Sequence, residues 1–354
     1  MAARGCRSAL FSLDQPGTGL APQVGHFNYS WPRSPWRRRR DFHHFHAPLA
    51  QAIEAFAREL RPDLVHVQNL TAFRSTVFPT LARLGVPVVM TVHDFTLLDP
   101  NPARLERRGV TGVFKRFLDR RSLERSRREV FQSVSLFLCP TVTLRDAVGF
   151  PPGKARLLRL PITLAAAPAL PPPPLRLFFA GTLYRSKGVD VLLQALAQGM
   201  GHVARANLEV AGAGDQEAEL QSLAQRLGLR DRVRFLGQLD ADAMDAAYRR
   251  ANLQVLPSRV PENSPLTVLE AGARGRASVA SHSGGVPELL APPERGWTFA
   301  SGDATALAAV LEQAASRPEE LAARGARMRE WVAANFDPQA HWDALAALYQ
   351  ELAG

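Results

Sequence analysis

The 354-residue chain has two cysteines, Cys6 and Cys139, and three lysines, at positions 115, 154 and 187. Two cysteines give neither a disulfide framework nor a metal-ligand spacing, which suits a reducing cytoplasm. No run of about 18 apolar residues occurs, so no transmembrane helix is expected. "SALFSL" at 8–13 is too short for a signal-peptide core. The scarcity of lysine does not leave the chain acidic, because arginine dominates its charge: Lys plus Arg number 43 against 33 Asp plus Glu, for a net charge of +10. The arginines cluster at "RRRR" (37–40) and within "KRFLDRRSLERSRR" (115–128). Such clusters are solvated faces or surfaces for phosphorylated substrates and anionic membranes. No nucleic-acid-binding motif accompanies them, so nucleic acid is not an expected partner.

What is present is enough apolar residue, 46%, to bury the cores of two domains. Short β-branched runs alternate with helical patterns. "DLVHVQ" (63–68), "VPVVMTVHD" (86–94), "VSLFLCP" (134–140) and "ARLLRLP" (155–161) read as strands, with a long basic helix over about 113–132. "PITLAAAPALPPPP" (161–174) interrupts them. Four consecutive prolines fit neither a helix nor a central strand, so the segment reads as a linker. The alternation then resumes from "LRLFFAG" (175–181) to "GWTFAS" (296–301), and three helical stretches follow. Strand–helix alternation means parallel sheets covered on both faces. The expected fold is α/β, with two doubly wound Rossmann-like domains facing a cleft. The expected layout is an N-terminal domain over 1–160, a linker over 161–174 and a C-terminal domain over 175–336. A closing helix, 337–352, is expected to return to the first domain.

Ligands bind such sheets outside the carboxyl ends of the strands. Four loops of the second half fall there: "GTLYRSKG" (181–188), "GAGD" (212–215), "PSRVPENSP" (257–265) and "SHSGGVPE" (281–288). In the third, Ser264 is placed to N-cap a helix whose first position is Pro265. Leu266, Leu269 and Ala273 continue at helical spacing. Glu262 therefore precedes a helix N-terminus and Glu270 lies inside the helix. That end offers free N–H groups to a phosphate, and two carboxylates beside it suit a sugar nucleotide. From the segment alone, one surface and one helix-face glutamate is an equal reading. "GAGD" in isolation reads as a strand-to-helix turn, and Lys187 in isolation as a solvated lysine; it is the four loops together on one edge that point to a ligand. Glycines at this rim would let backbone approach a ligand closely. "DAD" (240–242) precedes an apolar-periodic helix and reads as an N-cap, not as a metal site. "HHFH" (43–46) lacks neighbouring ligands and reads as surface or core histidines.

"FFAGTLYRSKGVDVLLQAL", "VRFLGQLDADAMDAAYRRANLQVLPS", "ENSPLTVLEAGARG" and "SGGVPELL" together resemble retaining glycosyltransferases of the GT-B fold, of the group 1 or GT4-like type. "RPDLVHVQN" and "VPVVMTVHDF" also look like that family. The resemblance implies a hexose-type transfer from a nucleotide-diphosphate sugar to a glycan or lipid-linked acceptor, in cell-envelope or exopolysaccharide biosynthesis. It implies no metal and no cofactor beyond the donor itself. Glu262 would contact the sugar hydroxyls, Glu270 the ribose and Lys187 the diphosphate, with His93 near the transferred sugar and acceptor. Gly181, Thr182, Arg185, Gly212, Gly214, Phe235, Asn263, Ser264, Pro265, Leu266, Gly284 and Gly285 would complete the donor side. The expected location is cytoplasmic, at the inner face of the membrane.

Two departures stand out. Thr182 occupies a position where the family often has a phosphate-binding arginine, with Arg185 nearby. "AARGCRSALFSLDQPG" matches the family's Gly-His turn and second strand, so its first strand, loop and helix are expected to be lacking. "GTG" (17–19) does not replace them. These departures motivate a rival reading, a degenerate nucleotide-sugar-binding or scaffold protein. A glycoside hydrolase using Glu262 and Glu270 is a third, which leaves Lys187 unexplained. The arginine clusters carry one prediction: the chain floats with vesicles containing anionic lipid, and about 0.5 M salt releases it. Equal flotation with neutral vesicles would remove the electrostatic basis.

Overall fold

The computed structural model describes residues 9–13, 25–29, 45–68, 73–98 and 123–354. The arginine run at 37–40, the glycines at 17–19, residues 43–44 and the helix expected over 113–122 lie outside them. The chain divides into two compact units: Met1–Pro140, Leu144–Leu158 and Gln339–Gly354 form the first, and Thr141–Thr143 and Arg159–Pro338 the second.

In the first unit, strands β1 (Ala9–Leu13) and β2 (Gly25–Tyr29) pair in parallel. A four-stranded parallel sheet follows in the order β3 (Val65–Gln68), β4 (Val88–Thr91), β5 (Leu136–Cys139), β6 (Ala155–Leu157). "VVMT" and "LFLC" are buried along their whole length, because both faces of the sheet are covered. Period-2 alternation divides their side chains. Val88, Met90 and Phe137 join Leu49, Phe78 and Leu81 in one core, whereas Val89, Leu136 and Leu138 meet Leu345 of the closing helix Pro338–Ala353. The last strand is shorter than its sequence pattern: Leu158 N still bonds Cys139 O at 2.9 Å, but Arg159 turns away to Glu288, 3.0 Å from its carboxylate. His46 of "HHFH" accepts from Leu49 N and caps the helix Ala47–Leu60. Cys139 is buried, and burial pushes its thiol up to about 12.

The second unit holds a six-stranded parallel sheet in the order β12 (Gly296–Phe299), β11 (Ala277–Ser281), β10 (Leu253–Leu256), β7 (Arg176–Ala180), β8 (Asn207–Ala211), β9 (Val233–Gly237). The chain starts in the centre at β7, builds outward to β9, then returns across β7 to start β10. The crevice where the winding reverses lies between β7 and β10, the strands that carry the loops of Lys187 and Glu262. Leu177 and Phe179 of β7 face one core, Phe178 and Ala180 the other.

The proline-rich segment is strapped to the second unit. Proline has no N–H to give, so its neighbourhood is rich in carbonyls that need donors. Asn252 Nδ2 donates to Pro171 O at 2.6 Å, Arg276 to Ala169 O at 3.4 Å and Arg329 to Ala165 O at 2.7 Å. Not all the arginine is solvated. Arg74, Arg276 and Arg324 are buried, and Arg324 both covers the Trp297 ring at 3.9 Å and donates to Gly296 O at 2.6 Å.

Lys187 ends a 3-10 turn, Arg185–Lys187, and Gly188 at φ +67° separates that turn from the helix Val189–Gln198. A Cβ on residue 188 would stand 2.0 Å from Pro257 O. Gly188→Ala is therefore expected to combine the left-handed backbone penalty of roughly 1–2 kcal/mol with a backbone clash. Gly228, at φ +69° with open space around it, carries the backbone penalty alone. In denaturant unfolding Gly188→Ala should cost at least about 1 kcal/mol more than Gly228→Ala, and equal costs would refute the close approach.

Candidate active site

Three loops meet at the carboxyl edge of the second sheet, held by backbone bonds. Arg259 N donates to Ser186 O at 2.7 Å, and Gly285 N to Glu262 O at 2.7 Å. The rim glycines admit other loops. A Cβ at 212 would lie 1.8 Å from Gly181 O, one at 214 would lie 2.4 Å from Leu183 O, and ones at 284 and 285 would meet Glu262 O and Asn263 O at 2.2 and 2.1 Å.

This packing brings Lys187 and Glu262 together. Lys187 Nζ is 2.7 Å from Glu262 Oε1, and the two side chains are 28% and 15% exposed. Ser258 Oγ donates to the same oxygen at 2.5 Å. Arg259 pairs with Asp190 at 2.5 Å and holds the loop from its other side. Asn263 is buried and its Oδ1 accepts from Thr141 Oγ1 at 2.5 Å. Thr182 and Arg185 are exposed on the first loop. Phe235 packs partly buried against the core of its sheet.

The expected cap is corrected. Pro265 is the N-cap of the helix Leu266–Ala273, and its carbonyl accepts from Val268 N at 3.1 Å and Leu269 N at 3.3 Å. The proline ring fixes φ at −64° while ψ is extended at 112°, so the helix starts one residue later than the sequence pattern suggests. Ser264 Oγ is buried and makes no hydrogen bond among the described residues. Leu266, at the first helical position, is 47% exposed.

Glu270 is held from the neighbouring helix Ala241–Arg250. Tyr248 Oη lies 2.9 Å from Glu270 Oε2 and 3.2 Å from Thr267 O. Tyr248 is fully buried. Burial, then the Glu270 carboxylate, raises its phenol well above the ordinary value. Arg274 lies over the Tyr248 ring at 5.0 Å and bonds Asp245 at 2.8 Å. Sequence reasoning missed Tyr248 and Ser258. Ser258 had a faint signal in its position four residues before Glu262; Tyr248 had none, because its partner comes from another helix. Asp240 of "DAD" accepts from Ala243 N at 2.8 Å and caps its helix. Among the described residues no three His, Cys, Asp or Glu side chains converge to hold a metal ion.

In the first unit His93 follows β4. Its Nε2 lies 2.8 Å from Gln68 Oε1 at the end of β3. Burial lowers its pKa, opposed by Asp94. Asp94 caps the turn Phe95–Leu97 through Thr96 N at 2.9 Å, and buried Arg74 donates to Thr96 O at 3.1 Å.

Two parallel-sheet α/β units define the GT-B class, and solved structures share it. Sucrose-phosphate synthase from Thermosynechococcus elongatus has a TM-score of 0.76 at 22% identity, covering 99% of this chain and 90% of that one. HepE of Anabaena, solved with UDP and glucose, has a TM-score of 0.73 at 18% identity, covering 93% and 87%. The family model for glycosyl transferases group 1 matches residues 163–331, and that for glycosyltransferase family 4 matches 1–164. A glycogen synthase of Mycobacterium tuberculosis is 30% identical over 301 residues, 82% of this chain and 69% of that protein. A GDP-mannose-dependent alpha-(1-6)-phosphatidylinositol monomannoside mannosyltransferase of that organism is 31% identical over 167 residues, 46% of this chain and 42% of that protein. The chain belongs to the group 1, GT4-like glycosyltransferases, enzymes that depend on nucleotide sugars.

Tyr248→Phe removes the hydroxyl that orients Glu270. Urea unfolding should show a loss of about 1–2 kcal/mol. An unchanged midpoint would mean that the Glu270 contact contributes nothing.

Proposed function

We propose that the chain moves a hexose-type sugar, with retention, from a nucleotide-diphosphate donor to a glycan or lipid-linked acceptor of the cell envelope or of an exopolysaccharide. The observation that carries this reading is the Lys187–Glu262 pair at the reversal point of the second sheet. A carboxylate and an ammonium held together are matched to a ligand with hydroxyls at one end and phosphates at the other. A diphosphate draws Lys187 from Glu262, and Glu262 then accepts from sugar hydroxyls while Ser258 keeps it in place. The helix Leu266–Ala273 begins directly after that loop, and a helix N-terminus favours negative charge.

In the proposed reaction the anomeric C–O bond to the diphosphate breaks, and the acceptor oxygen forms its bond on the same face. The acceptor's proton passes to the leaving diphosphate oxygen. Lys187 and the helix end stabilise the charge that builds there, so neither metal nor cofactor takes part. Glu270, oriented by Tyr248, accepts from the ribose hydroxyls. His93 serves the transferred sugar and acceptor. An envelope acceptor is supported by relatives named for it, including a putative colanic acid biosynthesis glycosyltransferase of Salmonella typhimurium, 28% identical over 216 residues. It also accords with the arginine clusters of the sequence, whose charge suits an anionic membrane.

Calorimetric titration with UDP, GDP and ADP tests the donor site. One nucleotide should bind, and Glu270→Ala should weaken it at least about tenfold, equivalent to about 1.4 kcal/mol. Lys187→Ala should lower the turnover number with the matching sugar nucleotide about 10²-fold or more. A folded chain that binds none of the three would count against this reading and favour a degenerate protein.

A further inference from the structure

Lys187 and Glu262 are each other's counter-ions in the fold, and a diphosphate is a second anion for the same lysine. How the pair is held decides what that competition does. Lys187 Nζ meets Glu262 Oε1 at 2.7 Å, and Ser258 Oγ donates to the same oxygen at 2.5 Å. Both charges are largely withdrawn from water, the carboxylate more than the ammonium, at 15% and 28% exposure. A carboxylate so placed depends on its protein donors, because water is a poor substitute for one that leaves.

The two backbones are fixed. Glu262 O accepts from Gly285 N at 2.7 Å, Ser186 O accepts from Arg259 N at 2.7 Å, and Lys187 N donates to Tyr184 O at 2.9 Å. Only the lysine has a long flexible stem, so its ammonium can swing towards a diphosphate while the carboxylate stays where the loops hold it. Ser258 is then the remaining donor on Oε1, and a hydroxyl brings no positive charge. Arg259, three residues before Glu262, is paired with Asp190 at 2.5 Å. A nucleoside diphosphate that takes Lys187 therefore leaves Glu262 without its counter-ion and adds negative charge beside it. An intact nucleotide sugar does not, because its hydroxyls donate to the carboxylate in place of the ammonium.

We propose that the Lys187–Glu262 pair couples the hold on the diphosphate to the presence of the sugar, so that the site favours the intact donor and expels the nucleoside diphosphate left after transfer. When the sugar departs with the acceptor, Glu262 loses its donors and reclaims Lys187, and the product loses its cation. Losing one partner of a desolvated charge pair is unfavourable because the other is left unpaired, and here that penalty falls on the product complex alone. The coupling rests on the reading of this pair as the donor site. It also makes a prediction that damage to the site cannot imitate: removing the charge of Glu262 tightens the binding of a nucleotide that carries no sugar.

Calorimetric titration of the full chain with UDP, GDP and ADP, unmodified and as Glu262→Gln, tests this. Glutamine keeps the size of the side chain and an acceptor for Ser258 but not the charge. The nucleotide that binds the unmodified chain should bind Glu262→Gln about three- to tenfold more tightly. Glu262→Ala, which removes the acceptor as well, should move affinity in the same direction. In a Lys187→Ala background the gain from Glu262→Gln should be smaller, since no lysine is then contested. Unchanged or weaker binding in Glu262→Gln would overturn the proposal, because Lys187, with three N–H donors, would then be bridging both anions. An equal gain in the two backgrounds would also overturn it, leaving only repulsion between carboxylate and diphosphate. If the folded chain binds none of the three nucleotides, the donor reading fails and the coupling with it. Binding that weakens in Glu270→Ala but does not tighten in Glu262→Gln removes the coupling alone.

Discussion

The approach of Gly188 to the Pro257 carbonyl is the constraint on which the carboxyl edge of the second sheet depends. A side chain at 188 would hold the loops after β7 and β10 apart. With glycine there, Arg259 N reaches Ser186 O, Ser258 Oγ lies 3.2 Å from the same carbonyl, and Lys187 is delivered to Glu262. The same device recurs around the rim, where Gly212 lies against Gly181 and Gly285 against Asn263. The loops are therefore fixed by each other's backbones. Side chains that project from such a frame lose little further freedom when they bind, and that is the basis of preorganisation.

The arginine-rich composition has a second meaning inside the fold. An arginine carries a planar fork of donors, so one side chain can satisfy several carbonyls at once. Arg232 serves Ala206 O and Val203 O at 3.0 and 2.6 Å; Arg295 serves Leu289 O and Glu288 O at 2.9 and 3.0 Å and lies 4.4 Å from the centre of the Trp331 ring. Arg276 and Arg329 do the same for carbonyls of the proline-rich strap. Burial lowers the pKa of Arg232, Arg276 and Arg295. Part of the positive charge is thus spent on holding irregular backbone in place, and net charge alone overstates what faces solvent.

The two units differ in how their candidate residues are poised. In the second, charge is matched locally: Lys187 with Glu262, Arg259 with Asp190, Arg274 with Asp245. In the first, His93 bonds the Gln68 amide, and burial lowers the pKa values of His93 and His66. Charge neutralisation suits a diphosphate leaving group, and a neutral imidazole suits a hydroxyl. No helix among the described residues is long and apolar enough to cross a membrane.

The sequence by itself determined the parallel α/β architecture, because fully apolar strands such as "VVMT" and "LFLC" have to be covered on both faces. It also placed Lys187, Glu262 and Glu270 after strands or in the helix that follows, since strand order and turn chemistry are local. Tertiary structure alone decided what those residues touch. The start of the helix at Leu266 depended on a proline backbone, not on the serine before it. The pairing of Lys187 with Glu262, 75 positions apart, depended on β7 and β10 being neighbours in the sheet. Tyr248 beneath Glu270, and Tyr349 against His66 across 283 positions, left no periodic trace. Periodicity records which face of an element is buried; it does not record which other element covers that face.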